Sequence, residues 1–211
     1  MFINRKDAGE RLAKALEKYR DKSVVVLGIP RGGTETAFYV ADYLNAEFSL
    51  IFSKKLGHPY NPELAIGAVA EDGSIFINEY AKEYFSQQLI MSQAEEKKKE
   101  IQERIQKLRH GEPLPEIKDK TVIIVDDGIA TGATIFASIK LCQNNGAGKI
   151  IVAAPIGSQD TEEEISKEAD EVVILEKPLF YQAVSQGYQS FYDLTDEETI
   201  AFLNRWKKEK H

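Results

Sequence analysis

Unbroken runs of apolar, largely β-branched residues recur along the chain at 23–29 (SVVVLGI), 121–125 (TVIIV), 149–155 and 171–175. Such runs suit strands buried on both faces of a parallel sheet. Residues 47–53 and 74–78 read as two further strands. Helical spacing fills the intervals. Asp7 can cap a first helix carrying Ala8, Leu12, Ala15, Leu16 and Tyr19. A second helix spans about 34–44, and another runs from the turn after Val125 to about Asn144, where Gly146 and Gly148 stop it. Residues 84–110 predict one long helix with a narrow stripe of Ile90, Ala94, Ile101, Ile105 and Leu108. Glu95–Lys99, Glu100–Arg104 and Glu103–Lys107 are i,i+4 pairs on its polar side. The ordinary reading is a half-exposed helix lying on the core; the alternatives are a mobile lid or a dimer contact. Thr161-x-x-Glu164 and Thr195-x-x-Glu198 are capping boxes for two more helices, the last ending near Trp206. Residues 54–73 contain Gly57, Pro59, Pro62, Gly67 and Gly73, and read as loop with a short strand at 64–70. Alternating strands and helices predict a parallel α/β sheet. Ligands of such sheets bind beyond the carboxyl ends of the strands.

The chain has 211 residues and neither repeats nor a low-complexity linker, so one domain is expected. A single cysteine, Cys142, excludes an intramolecular disulfide scaffold and fits a reducing, cytoplasmic setting. No apolar run approaches the ~20 residues of a membrane span, and no membrane partner is expected. The net charge of −7 argues against a nucleic-acid partner. An anionic ligand would therefore need a local site that overcomes the charge of the whole.

Two strand ends carry candidate chemistry. The first is Asp126-Asp127-Gly-Ile-Ala-Thr-Gly-Ala-Thr134. Its small residues let the backbone amides of a helix start close around a phosphate, and Thr131 and Thr134 add hydroxyls. The two carboxylates repel a phosphate and suit hydroxyl donors or Mg²⁺ instead. A ribose 5-phosphate satisfies both halves. The ordinary reading, that the aspartates are turn or cap residues, leaves the Thr-Gly-x-Thr unexplained. The second is Pro30-Arg31-Gly32-Gly33, a glycine turn whose arginine can fork onto phosphate oxygens. Lys54-Lys55 follows the next strand and can neutralise a leaving anion.

The segment from Asp126 to Thr134 resembles the signature of the type I phosphoribosyltransferases for phosphoribosyl pyrophosphate (PRPP). Further stretches, Asp7-Ala-Gly-Glu-Arg-Leu, Gly-Ile-Pro-Arg-Gly-Gly, Lys55-Leu-Gly-His-Pro and Pro62-Glu-Leu-Ala-Ile-Gly-Ala-Val-Ala, resemble a bacterial branch called predicted phosphoribosyltransferases, which has no agreed acceptor. That similarity extends over nearly the whole chain. It implies a Rossmann-like parallel-sheet core of about residues 1–176 within a single domain, 1–211. A small hood would come from 84–110 and 177–211. It assigns the ribose hydroxyls to Asp126 and Asp127. The 5-phosphate falls to Ile129, Ala130, Thr131, Gly132, Ala133 and Thr134. Pyrophosphate falls to Arg31, Gly32, Gly33 and Lys55, in a loop that often holds a cis peptide and in which Pro30 is a departure.

Lys55 and Glu63 are the catalytic candidates that the resemblance implies. Glu71 is a further acid–base candidate, and residues 61–73 would form a loop closing over PRPP. Mg²⁺ would arrive through PRPP and water, with no direct protein ligand. The partners implied are PRPP, a small-molecule acceptor and a second copy of the chain. Where hypoxanthine–guanine enzymes carry an aspartate before Thr-Gly, this chain has Ala130, which argues against a 6-oxopurine acceptor. Phe180, Tyr181, Tyr188, Phe191 and Tyr192 in the hood region could stack on a base or pack as core. The expected reaction is phosphoribosyl transfer to a nitrogen acceptor. The alternatives are a non-catalytic sensor of PRPP or nucleotides and, more remotely, a phosphatase or receiver using Asp126.

Overall fold

A computed structural model describes residues 1–210, apart from the side chains of Pro62, Glu63 and Lys210. Elements are numbered in chain order. Five parallel strands, β1 (Val24–Gly28), β2 (Glu47–Leu50), β6 (Thr121–Val125), β7 (Lys149–Ile156) and β8 (Glu171–Glu176), lie in the order β2-β1-β6-β7-β8. The chain leaves β1 toward one edge and returns at β6 to build toward the other. The carboxyl ends of β1 and β6 therefore flank the point where strand order reverses, where α/β sheets bind ligands. Val24 to Gly28 pair with Thr121 to Val125 in register, which brings the two candidate loops side by side.

Within the three central strands, β1, β6 and β7, alternation sorts buried side chains onto two faces. Val24, Val26, Ile123, Val125, Ile151 and Ala153 meet α1 (Arg5–Ala15), α2 (Gly32–Leu44), α4 (Gln87–Leu108) and α7 (Asp196–Lys210). Val25, Leu27, Val122, Ile124 and Val152 meet α5 (Ala133–Asn144) and α6 (Gln159–Ile165). The Cys142 thiol lies in this second core, where burial and the charges of Asp72 and Glu71 push its pKa up to about 12.

Several expectations are corrected. Residues 54–73 are no loop: β3 (Ser53–His58), β4 (Asn61–Ala70) and β5 (Ile75–Ile77) form an antiparallel sheet. The glycines that suggested a loop serve the pairing. Register shifts flank Gly57, and a Cβ on Gly67 would lie 2.2 Å from the Phe76 carbonyl oxygen. The predicted strand at 47–53 divides at Leu50, its end joining the second sheet. The long helix is two: α3 (Glu79–Tyr84), then extended Phe85, then α4 capped by Ser86. The stripe on α4 is buried in the chain's own core, so it is unavailable as a dimer contact. The expected i,i+4 pairs are replaced: Glu95 and Glu100 pair with Lys98 and Lys97 at i,i+3, and Arg104 and Lys107 both bind Asp196 on α7. Helix caps fall earlier than expected at two sites: Asn4 accepts from the Asp7 N–H, and Ser158 accepts from the Thr161 N–H. The Thr195–Glu198 box forms in both directions, and α7 runs on to Lys210.

Residues 177–193 lie over the carboxyl ends of the strands with a single 3-10 turn, Val184–Gly187. The N-terminus clamps this segment: Phe2 N–H donates to Gly187 O, and Gln189 N–H donates to Phe2 O. Phe2, Ala8, Ile156 and Tyr188 form a small core beneath it, with Tyr181, Val184 and Phe191 packed against them. Phe180 is 86% exposed.

The base of the sheet is held by charge. Burial alone would raise the Glu171 carboxyl, but hydrogen bonds from Lys18, Tyr19 and Lys149 hold it down at about 2. A carboxylate held low stabilises the fold above its unfolded range and loses that effect as pH falls toward its folded value. Glu171→Gln should therefore lower unfolding free energy by about 1 kcal/mol at neutral pH, allowing for solvent screening. The deficit should shrink as pH drops from 4.5 to about 2, as urea titrations across that range would show. An equal deficit throughout would contradict the assignment.

Candidate active site

The loop after β1 and the loop after β6 touch. A Cβ on Gly32 would lie 1.9 Å from Asp127 Oδ2, and one on Gly33 would lie 2.9 Å from Asp126 Cα. Only glycines let α2 begin directly against the acidic pair. The Pro30–Arg31 peptide is cis. The α2 N-terminus has no side-chain cap, and neither has that of α5, which opens at Gly132 with φ +74°. By contrast α1, α3, α4 and α6 are each capped by an Asn or Ser side chain. Among the described residues, these are the α-helices without a side-chain cap, and both start at the candidate site. Each presents amide donors and the positive end of a dipole there.

The segment from Ile129 to Thr134 is braced from three sides. Ile129 N–H donates to Ile156 O. Thr161 Oγ1 donates to Ala130 O at 3.1 Å. Ser53 Oγ donates to Thr134 O at 3.1 Å, which ties β3 to the start of α5. Ala130 and Thr131 stay exposed. The loop thus has a fixed backbone and an open outer edge.

The two aspartates differ in environment. Asp127 is buried, and its Oδ2 accepts from Arg5 Nε at 2.7 Å. Arg5 Nη1 also donates to Tyr192 O at 2.6 Å, and its guanidinium lies 4.2 Å from the Phe191 ring centre. The Tyr188 hydroxyl donates to Asp127 O. The segment 177–193 therefore holds the arginine that holds the aspartate. Asp126 accepts from the Asp127 N–H at 2.8 Å. Burial, then the Asp127 charge, push its carboxyl well above the usual range. Glu35 on α2 is buried nearby with Oε2 unpartnered, and burial raises its pKa against the pull of Arg5. Burial together with the Asp127 and Asp126 charges raises Tyr181, whose hydroxyl is also unpartnered.

The β3 lysines diverge. Lys54 shares a face with Leu56, pairs with Glu100 on α4 and lines a cleft beside Arg31. Lys55 is exposed and shares a face with Ser53, the residue bonded to Thr134. Glu71, an acid–base candidate, is instead structural: it pairs with buried Arg109 at 2.5 Å and accepts from the Phe52 N–H. The Glu63 side chain lies outside the described residues. No group of three or more His, Cys, Asp or Glu side chains able to hold a metal occurs among the described residues. None of the described helices is long and apolar enough to cross a membrane.

Arg5 and Glu35 were not legible beforehand. A lone arginine in an amphipathic first helix carries no signal, and its contact with Asp127 spans 122 positions.

The sequence profile of the phosphoribosyl transferase domain matches residues 3–190. The chain belongs to the phosphoribosyl transferase domain family. It is 41% identical over 207 residues to the Mycobacterium tuberculosis protein named "Putative phosphoribosyl transferase Rv0571c", covering 97% of this chain and 47% of that one. The chain thus spans about half the length of the curated relatives it matches. It is similar to the crystal structure of TT1426 from Thermus thermophilus, with TM-score 0.85 and 36% identity over 97% of this chain and 98% of that one. A 36-residue stretch, 17% of this chain, is 56% identical to 18% of the transcriptional regulator GfcR of Methanosphaera stadtmanae.

The electrostatics give two expected outcomes. The folded state binds the Asp126 proton more tightly than the unfolded chain does, so ionisation erodes stability as pH rises above the usual aspartate value of about 4. Asp126→Asn should be more stable than the parent at pH 8 and indistinguishable near pH 4 in urea titrations; a variant less stable at pH 8 would contradict this. Arg5→Met strips the counterion from buried Asp127 and should cost about 3 kcal/mol in the same measurement. A loss under about 1 kcal/mol would mean that the pair is no more than a surface contact.

Proposed function

We propose that the domain transfers the phosphoribosyl group from Mg²⁺-PRPP to a nitrogen of a small acceptor, a nucleobase being the first candidate. The observation that carries the reading is the convergence of two uncapped helix N-termini on an acidic pair. Asp126 and Asp127 would accept hydrogen bonds from the ribose 2- and 3-hydroxyls. The amides and hydroxyls of Ile129 through Thr134 would hold the 5-phosphate, and Arg31, Gly32, Gly33 and Lys55 the pyrophosphate. The acceptor nitrogen attacks C1 of the ribose and the C1–O bond breaks. Pyrophosphate leaves with the bonding pair, and the acceptor nitrogen loses its proton. Positive charge builds on the sugar and negative charge on the departing oxygen, so fixed donors at the pyrophosphate accelerate the step. Glu63 is the candidate for the proton. In this reading Mg²⁺ would arrive on substrate oxygens and water, close to the carboxylates of Asp126 and Asp127. Ala130 stands where an aspartate would act on a 6-oxopurine, so adenine, uracil and related bases are the acceptors to try first.

A second reading, a PRPP- or nucleotide-responsive protein without catalysis, is favoured by the short stretch shared with a transcriptional regulator. A second copy as partner and a cytoplasmic setting belong to the proposal as well.

The test is a pooled assay: protein, Mg²⁺, PRPP and a mixture of nucleobases, read by mass for new nucleoside monophosphates. The parent should yield a product that the Asp126→Asn/Asp127→Asn double variant does not. Consumption of PRPP by both alike would remove the aspartates from the site. Intact, bound PRPP with no product would transfer the assignment to the responsive protein.

A further inference from the structure

Beside the loop after β1, a cavity of about 370 Å³ opens between that loop, the start of β3 and α4. Three cations from three separate elements line it: Arg31, Lys54 and Arg104. Ser53, also in its wall, is bonded to the backbone of Thr134, so the cavity adjoins the candidate 5-phosphate loop. Each cation is steadied from behind by a carboxylate. Asp196 accepts from Arg104 Nη1 at 2.8 Å and lies 4.0 Å from Arg31, and Glu100 pairs with Lys54 at 2.5 Å. Lys107 and Lys97 complete the cluster on Asp196 and Glu100. Five cations thus share two carboxylates, and the cavity wall is positive in a chain whose net charge is −7. Hydrogen bonds from Lys107 and Arg104 hold the Asp196 carboxyl below its usual range.

A guanidinium has five N–H donors. Asp196 engages one nitrogen of Arg104, and the remaining donors are free to meet an anion with two or more phosphate oxygens. Asp196 also fixes the side chain in advance, which cuts the entropy lost when the anion arrives. We propose that Arg104 and Lys54 extend the anion site at Arg31 into a subsite for the diphosphate, with Asp196 as the positioning residue. The inference rests on the phosphoribosyl transfer reading for the identity of the ligand, the diphosphate of PRPP and the pyrophosphate product. It gives α4 and α7, which the sequence placed in a hood, a role at the leaving group.

Calorimetric titration with pyrophosphate, PRPP and ribose 5-phosphate separates the possibilities. Arg104→Gln should weaken pyrophosphate and PRPP about tenfold or more, the usual scale for losing a charged hydrogen-bond donor. Ribose 5-phosphate, which has no diphosphate, should bind as before, and Arg104→Lys should recover part of the loss. Asp196→Asn should give a smaller loss on the same two ligands. Unchanged pyrophosphate and PRPP affinity in Arg104→Gln overturns the proposal. So does an equal loss in Lys107→Gln, whose side chain does not line the cavity, since the effect would then be one of overall charge. Failure of the parent to bind PRPP at all would overturn the transfer reading, while the pyrophosphate titration would still decide the subsite.

Discussion

The site depends on a contact in which nothing intervenes between backbone and carboxylate. Gly32 and Gly33 start α2 directly against Asp127 and Asp126. Register between β1 and β6 places the two turns at the same height, and the reversal of strand order leaves a crevice above them. A side chain at either glycine would drive the turns apart. With the contact in place, two helix N-termini and two carboxylates share one small volume, and each half supplies what the other lacks. The amides suit anionic oxygens, and the carboxylates suit hydroxyls.

Such an arrangement is costly before a ligand arrives. Asp126 and Asp127 are adjacent and largely withdrawn from water, and Glu35 is buried close by. Arg5 is the counterion that makes this tolerable, and the segment 177–193 fixes Arg5 through the Tyr192 carbonyl and the Phe191 ring. That segment thereby steadies the acidic pair from behind. Three cations gather at the cavity wall of Arg31, Lys54 and Arg104, which is how an acidic chain can present a positive pocket.

What could be read from the sequence divides along physical lines. β1, β6 and β7 were legible because strands buried on both faces are continuous apolar runs, and half-buried β8 because Val172, Val173 and Ile174 are β-branched. The two turns stood out as candidates because small residues in that order at a strand end suit a phosphate cradle. The antiparallel sheet at β3–β5 was not, because bulges and close backbone approach place glycine inside strands and imitate loop. The break at Phe85 was hidden by helical spacing that continues through it, and Ser86 restarts the helix as a cap. The i,i+4 partners of Arg104 and Lys107 were plausible locally, yet Asp196, nearly a hundred residues on, is placed better by the packing of α7 against α4. Arg5 belongs to the same class, since its role exists only in three dimensions.

Gly32→Ala tests the central contact most directly. Alanine suits the first turn of a helix, so the variant should fold, but its Cβ would occupy the space 1.9 Å from Asp127 Oδ2, which Arg5 pins in place. Titration calorimetry with PRPP and Mg²⁺, beside a circular dichroism control, reads the result. The variant should be folded, with PRPP affinity lowered at least about tenfold, the scale for losing a charged hydrogen bond. A folded Gly32→Ala that binds PRPP as tightly as the parent would contradict this expectation.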